Sequence, residues 1–353
     1  TTLTTTLTTS TAFSLSTLAV MTALLFAGPA ACDLETPPAS DESPCVDAEA
    51  VQSVPGTFVH DLHSEIVGED FRISVALPQG FIPGMEPPEG GAFPVIYVLD
   101  GYWAFGGAAE LARSQAPYSI PHAIVVGIAY EDTSAWGRLL RRTRDFTPTA
   151  WDLYAEVNDR DLENRLAQGD SAPFDHYPMG GAEAFLGFLQ DELKPMIEAS
   201  YPVDASDATI VGSSFGGLFA SYVLLNEPSA FQRYVIVSPG LNWDDGLLMD
   251  HERAYAETHD DLQAKVFFAA GGREREERLF KAQYGDALTA ELEESYRMVE
   301  RIETLVGALE SRGYPGLEVH HKVIEGENHT SVGLPASSIG LRAVFGSQYF
   351  FSL

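Results

Sequence analysis

The sequence predicts an α/β fold built on one mostly parallel sheet, and three observations support this prediction. Short runs of β-branched and apolar residues recur along the chain and alternate with helical patterns. The middle runs are almost continuously apolar, which is typical of parallel strands covered on both faces. The length of 353 residues suits one large α/β domain with insertions, or two domains.

The predicted strands and helices follow one another in a regular order. The strand-like runs are Thr57–Leu62, Phe71–Leu77, Pro94–Leu99, Ala123–Ala129, Ala208–Val211, Tyr234–Val237, Val266–Ala270 and Leu317–Ile324. The helical patterns are Gly106–Arg113, Ala182–Ser200, Phe215–Leu225, Ala290–Ser311 and the terminal segment after Ser337. We expect the sheet to open with an antiparallel hairpin and helices to flank the remaining strands.

Residues 1–31 carry the features of an export signal. An apolar run rich in small residues fills positions 11–31, and Pro29-Ala30-Ala31 precede Cys32, as in a bacterial lipoprotein signal. Residues 32–54 are poor in apolar side chains and predict a tether, followed by a catalytic domain over residues 55–353. We therefore expect an exported protein that is periplasmic, anchored to the outer membrane through a lipidated Cys32, or secreted after simple cleavage.

Composition excludes several classes of function. Lys and Arg total 21 against 51 Asp and Glu, which gives a formal charge of −30 and a surface that repels nucleic-acid phosphates. Both cysteines precede the predicted domain, so neither thiol catalysis nor a thiolate metal site is expected in it. The chain has no G-x-x-x-x-G-K-[ST] or H-E-x-x-H motif, and we predict no cofactor and no metal.

A long segment between Glu131 and Gly180 departs from the strand–helix rhythm. It is rich in Arg, Asp and aromatic residues and contains no clear strand. Irregular excursions of this length are usually lids or binding loops, so we expect a lid-like insertion over residues 131–180. Its arginines would either guide anionic groups of a substrate or neutralise nearby carboxylates, while its aromatic rings would supply flat apolar contacts. The arginines are Arg138, Arg141, Arg142 and Arg144, and the aromatic residues are Trp136, Trp151 and Tyr154.

The most specific motif is Gly212-Ser213-Ser214-Phe215-Gly216, which matches G-x-S-x-G. A strand-like run precedes it and a helical run follows it, so the motif predicts a sharp strand-to-helix turn that presents Ser214 above the sheet. The flanking glycines leave room for the strained backbone of such a turn. Ser214 is therefore the predicted nucleophile.

A serine hydroxyl needs a base to remove its proton, and His329 is the histidine whose position suits this role. It lies in Gly326-Glu-Asn-His-Thr-Ser-Val332, directly after the last predicted strand. In α/β-hydrolases the order along the chain is serine, acid, histidine. The acid should thus follow Val266–Ala270, where Glu274 is favoured over the alternatives Glu276 and Glu277.

Two backbone amides are expected to stabilise the oxyanion. One is the N–H of Phe215, the residue after the nucleophile. The second comes from the loop after the strand that ends at Leu99, where Asp100-Gly101-Tyr102 offers the N–H of Tyr102. We expect Asp100 and Gly101 to contact the substrate as well, together with Arg141, Arg142 and Trp243.

These motifs resemble the putative-esterase family of α/β-hydrolases. The resemblance rests on VIYVLDGYW (95–103), RDFTP (144–148), IVGSSFGGLFASYVLLNEPSAFQRYVIVSPGLNWDD (210–245) and EGENHTSV (325–332). It is greatest with the branch of siderophore-esterase-like proteins and S-formylglutathione-hydrolase-like proteins. Ser213 stands where a histidine is commoner before the nucleophile, and Asn242 stands where an aromatic residue is frequent.

The resemblance implies a serine carboxylic-ester hydrolase that forms an acyl-enzyme with a polar or aromatic ester, such as a siderophore lactone. Its partner would be a small-molecule ester; the sequence leaves the oligomeric state open. Two alternatives remain, namely an acyltransferase with the same triad and a non-catalytic ligand-binding protein on the same fold. Product analysis with added alcohol acceptors would distinguish the acyltransferase from a hydrolase. Failure of fluorophosphonate labelling would favour the non-catalytic protein.

Overall fold

In the computed structural model, eight strands form one sheet. They are β1 (Thr57–Ser64), β2 (Glu69–Ala76), β3 (Phe93–Val98), β4 (Ile124–Tyr130), β5 (Val203–Ser213), β6 (Arg233–Val237), β7 (Ala264–Gly271) and β8 (Leu317–Ile324). Their order across the sheet is β1-β2-β4-β3-β5-β6-β7-β8. Strand β2 is antiparallel to β1 and β4, whereas the other neighbouring pairs are parallel. The predicted mostly parallel sheet with an antiparallel opening is confirmed.

The structure describes residues 55–81, 91–132, 134–275 and 297–346. The predicted export signal and tether, with Cys32, lie outside these residues. The described α-helices are α1 (Gly101–Gln115), α2 (Ala135–Phe146), α3 (Asp152–Ala167), α4 (Ala182–Gly187), α5 (Lys194–Ser200), α6 (Phe215–Asn226), α7 (Trp243–Thr258), α8 (Met298–Arg312) and α9 (Gly333–Phe345). A π-helical stretch, Phe188–Leu193, joins α4 to α5. Within the described ranges, no helix has both the length and the apolar composition needed to cross a bilayer.

Helices cover both faces of the sheet, which explains why its central strands are apolar throughout. On one face, α1 and α9 pack on Val98, Val125 and Val235 through small residues such as Ala109 and Ala336. The larger core on the other face holds residues of α4, α6, α7 and α8. Burying both faces of β3 to β7 removes a large apolar area from water and fixes the strands that carry the site.

The parallel strands β5 to β8 all end at the same edge of the sheet, and so does β3. The residues that follow them are therefore brought together, although they are far apart in the sequence. Ser214 follows β5, Ser238 follows β6, and Glu274 lies three residues past β7 in a short 3₁₀ helix, Gly272–Arg275. His329 follows β8, and Asp100 lies just past β3 at the start of α1.

The segment predicted to be an irregular lid contains two helices, α2 and α3. Ser134 begins α2 as its N-cap, with its side chain accepting a hydrogen bond from the amide of Gly137. Apolar residues recur at helical spacing on one side of α2, yet its buried residues include Arg138, Arg142 and Asp145 as well as Leu140 and Phe146. The prediction of an irregular segment was wrong, because these charged residues are buried within a helix and do not mark an exposed loop.

Candidate active site

Ser214 occupies a strained turn between β5 and α6. Its backbone angles are φ 59° and ψ −120°, a conformation that L-residues adopt only when the surrounding structure holds them there. The amide of Ser214 donates to the carbonyl of Val237 at 2.9 Å, and its own carbonyl accepts from Leu218. A Cβ atom at Gly212 would overlap the Gly216 carbonyl, so a glycine is needed there. The predicted strand–turn–helix context of Ser214 is present.

Glu274 and His329 form a directly bonded pair. His329 Nδ1 lies 2.9 Å from Glu274 Oε2, and the Glu274 side chain is only 3% exposed. The other carboxylate oxygen accepts from the Ser238 hydroxyl at 2.6 Å and from the Gly271 amide at 2.7 Å. Of the three glutamates considered, Glu274 thus reaches His329, whereas Glu276 and Glu277 lie outside the described residues.

The environment of Glu274 favours its ionised form. Burial by itself would raise the pKa of this carboxyl group, but the hydrogen bond and charge of His329 act against it. The hydrogen bonds from Ser238 and Gly271 act in the same direction, and the net result is a pKa below the ordinary value. A carboxylate that stays ionised can hold the imidazole in one orientation and stabilise the imidazolium ion during a reaction.

Ser238 is a site residue that the sequence analysis missed. It follows β6, is fully buried, and has a positive φ of 42°. Its hydroxyl donates to Glu274, and its amide donates to the carbonyl of Ala269. The signal in the sequence was its position, because Ser238-Pro239-Gly240 directly follows β6. Strand β6 lies between β5, which precedes Ser214, and β7, which precedes the acid loop.

The predicted oxyanion amides lie at two helix starts. Phe215 is the first residue of α6 and Tyr102 is the second residue of α1. Amides in the first turn of a helix have no acceptor within that helix and carry partial positive charge. The backbone of Asp100, which precedes α1, lies in the left-handed helical region with φ 55°. Both amides thus lie in the first turn of a helix that follows a strand at the same edge of the sheet, and their role as oxyanion donors stays a prediction.

Arg142 connects these two helix starts. Its Nε donates to Asp100 Oδ1 at 2.7 Å and its Nη2 donates to the Ser213 carbonyl at 3.1 Å. The guanidinium also lies 5.3 Å from the centre of the Phe215 ring. Arg142 thus ties the loop of Tyr102 to the turn of Ser214, and Asp100 balances its charge.

Arg141 and its neighbours in α2 are also paired with carboxylates. Arg141 binds Glu69 at 2.7 Å and Asp132 at 2.8 Å, while Arg144 binds Glu69 and the buried Asp145. These ion pairs join α2 to strand β2 and its surroundings. The pairing agrees with the alternative that the arginines neutralise nearby carboxylates, and it gives no support to Arg141 as a substrate contact.

The predicted contacts of Trp243 and Gly101 with substrate need correction. Trp243 is 2% exposed and packs edge-on against Phe215, with ring centres 5.5 Å apart. Trp151 and Tyr154 of the insertion are buried against the same indole. These rings form a core beneath Phe215, so they support the oxyanion turn rather than line a binding surface. Gly101 is buried against β4, so close to its backbone that a Cβ atom would collide with it.

No group of three or more His, Cys, Asp or Glu side chains within the described ranges is arranged to hold a metal ion. The groups brought together at the site are instead a serine on a strained turn, a histidine held by a carboxylate, two helix-start amides and one arginine. The serine, the histidine with its carboxylate and the two amides are groups that acyl transfer through a serine uses.

Comparison with known families agrees with this geometry. The model of the family described as "Putative esterase" matches residues 64–168 and 154–276. The chain belongs to this family. The predicted ester hydrolase of the α/β-hydrolase fold is thereby confirmed at the level of the class, while the roles of the individual site residues remain predictions.

Several known proteins are similar to the chain. It is 35% identical over 202 residues to ferri-bacillibactin esterase BesA of Bacillus subtilis (strain 168), a match that covers 56% of this chain and 63% of that protein, which is less than two thirds of its length. It is 27% identical over 266 residues to the siderophore triacetylfusarinine C esterase of Aspergillus fumigatus, a match that covers 72% of this chain and 82% of that protein. The crystal structure of the BES protein from Bacillus cereus superposes with a TM-score of 0.64 at 27% identity, covering 85% of this chain and 98% of that one.

Proposed function

We propose that this protein is a serine esterase that hydrolyses ester bonds of a siderophore. The observation that carries the proposal is the Glu274–His329 pair at the sheet edge where Ser214 occupies the strained turn. The substrate class is supported by relatives from a bacterium and a fungus that are both named as siderophore esterases. An iron-loaded siderophore would be the substrate and not a resident cofactor.

The proposed reaction proceeds through an acyl-enzyme. With Nδ1–H of His329 donated to Glu274, Nε2 is left to accept the proton of the Ser214 hydroxyl as its oxygen attacks the ester carbonyl. The amides of Phe215 and Tyr102 stabilise the tetrahedral oxyanion, and Arg142 holds the two turns that carry them. His329 then gives its proton to the leaving alkoxide, and a water molecule deprotonated by His329 releases the acid and restores Ser214.

The proposed substrate class is tested with ferric and iron-free forms of a tricatecholate lactone and a trihydroxamate ester. Mass spectrometry should detect linear products that have gained one water molecule per cleaved ester, and Ser214→Ala should give none. Rapid hydrolysis of p-nitrophenyl acetate with no cleavage of either siderophore class would contradict the substrate assignment. It would leave the serine esterase class intact.

Arg142 is expected to act by holding the two turns that carry the oxyanion amides, and not on the charge of the substrate. We predict that Arg142→Gln lowers kcat about 10²-fold, because displacing the Tyr102 amide amounts to the loss of one oxyanion donor. The loss should be similar for a neutral and an anionic ester, whereas Arg141→Gln should stay close to wild type. Steady-state kinetics on both esters checks this prediction, with thermal unfolding to confirm that each variant is folded.

A selective rise in KM for the anionic ester in the Arg142 variant would instead support a role in guiding the substrate. The double variant Arg142→Gln/Asp100→Asn removes the carboxylate that the single change leaves buried without its partner. If the double variant recovered wild-type kcat, the single variant's defect would reflect only the unpaired Asp100.

We also propose that residues 1–31 are an export signal and that Cys32 is the point of lipid attachment. The support is the apolar run at 11–31 followed by Pro29-Ala30-Ala31-Cys32. Cell fractionation of the wild type and Cys32→Ser, with mass spectrometry of the mature N-terminus, tests this. A mature N-terminus beyond Cys32 in the wild type would favour simple secretion.

A further inference from the structure

Two adjacent aromatic side chains at the start of α1 are exposed beside the site. Tyr102 is 56% exposed and Trp103 is 54% exposed, and their ring centres lie 6.3 Å apart at an interplanar angle of 86°. Large aromatic rings are usually buried because each removes a large apolar area from water. Here they belong to the first turn of α1, which follows β3 at the sheet edge where Ser214 and His329 also lie, so they are on the rim of the site.

A buried arginine fixes one of these rings. The guanidinium carbon of Arg138 in α2 lies 3.6 Å from the centre of the Tyr102 ring, and the Arg138 residue itself is buried. A cation at this distance is attracted by the ring face and holds the ring in place. Tyr102 is therefore held on one face by α2 while much of its surface stays open to solvent.

Leu334 extends the same exposed apolar surface to the loop of His329. It is 55% exposed and lies in the first turn of α9, five residues after the histidine. Its side chain packs over Gly107, where a Cβ atom would overlap it. Gly107 is one helical turn after Trp103 and lies on the same side of α1. Tyr102, Trp103 and Leu334 thus form an apolar rim, which connects the oxyanion helix to the histidine loop.

We propose that this apolar rim binds a planar aryl group of the ester substrate and that Trp103 is its main contact. The inference rests on the proposed function, because it names the part of the substrate that the site selects. Flat rings on both partners allow stacking or edge-to-face contact, which an aliphatic chain cannot provide. The rim is next to the oxyanion amides, so an aryl group joined to the ester through a few bonds reaches it while the carbonyl faces Ser214.

The test compares two activated esters that differ only in the distal group, p-nitrophenyl N-benzoylglycinate and p-nitrophenyl N-acetylglycinate. Their common leaving group cancels when the ratio of their kcat/KM values is taken. We expect the wild type to prefer the benzoyl ester about tenfold or more. Trp103→Leu should lower this ratio at least about fivefold, and Trp103→Phe should keep most of it because a ring is retained.

Tyr118→Leu is the matched control, since Tyr118 is an exposed aromatic residue in the loop after α1, towards the opposite edge of the sheet. It should leave the ratio unchanged. The proposal is overturned if the wild type shows no preference for the benzoyl ester, or if Trp103→Leu keeps the wild-type ratio. Neither result bears on siderophore hydrolysis, which the mass-spectrometric assay tests separately. Conversely, a failure of the siderophore assay would not remove a measured preference for the benzoyl ester.

Discussion

Replacing Ser214 by alanine is expected to lower kcat for any ester by at least about 10⁴-fold. The Ser214 hydroxyl is the group proposed to form the acyl-enzyme, and alanine removes it without adding bulk. Alanine also tolerates the turn about as well as serine, so the thermal unfolding midpoint should change little. Steady-state hydrolysis of p-nitrophenyl acetate measures the loss, and circular dichroism confirms that the variant is folded.

Ser213→Ala is the matched control for this prediction. Ser213 contacts Arg142 through its backbone carbonyl, which alanine retains, so this variant should keep most of the wild-type activity. A loss in the Ser213 variant with an active Ser214 variant would move the nucleophile by one residue and contradict the assignment.

Replacing Glu274 by glutamine should lower kcat by about 10³-fold to 10⁴-fold. Glutamine keeps the size of the side chain and can still accept from Ser238 and Gly271, but it lacks the charge that stabilises the His329 imidazolium. KM should change much less, since Glu274 is buried behind the histidine and does not reach the substrate. Kinetics over a range of substrate concentrations separates the two effects.

Glu325→Gln serves as the control, because Glu325 is an exposed acid in the loop between β8 and His329. It should retain wild-type kcat. Wild-type kcat in Glu274→Gln would show that the histidine works without this carboxylate, or that the acid is one of Glu276 and Glu277.

The lowered pKa of Glu274 also predicts how this residue contributes to stability. A carboxyl group whose pKa is lower in the folded state stabilises that state fully above its unfolded pKa of about 4.3, and the contribution is lost as the pH falls through the folded value. The difference in unfolding midpoint between the wild type and Glu274→Gln should therefore shrink below about pH 4. A difference that grows on acidification would contradict the lowered pKa.

The sequence was informative where the chemistry needs adjacent residues. Gly212 and the residues next to it indicate the turn around Ser214, and the strand before the turn sets the direction in which the chain leaves the sheet. His329 could be chosen among nine histidines because chain order in this fold places the base after the last strand. The antiparallel opening of the sheet likewise follows from local patterns and the lengths between them.

Contacts between distant segments could not be predicted in the same way. Arg142 forms hydrogen bonds with Asp100, 42 residues away in the sequence, and with Ser213, 71 residues away. No local sequence pattern indicates these contacts. Trp243 was taken for a substrate contact because a ring beneath a site and a ring lining it look alike in sequence. Helix α2 was missed because its many charged residues suggested an exposed loop, whereas Arg138, Arg142 and Asp145 are buried beside Leu140 and Phe146.

The most direct test of the account is the position of a covalent fluorophosphonate adduct. Intact-protein mass spectrometry of the wild type should show one adduct, and peptide mapping should place it on Ser214. Labelling should be absent in Ser214→Ala and much slower in Glu274→Gln. An adduct on a different serine, or an active wild-type protein that resists labelling, would contradict the assignment of Ser214 as the nucleophile.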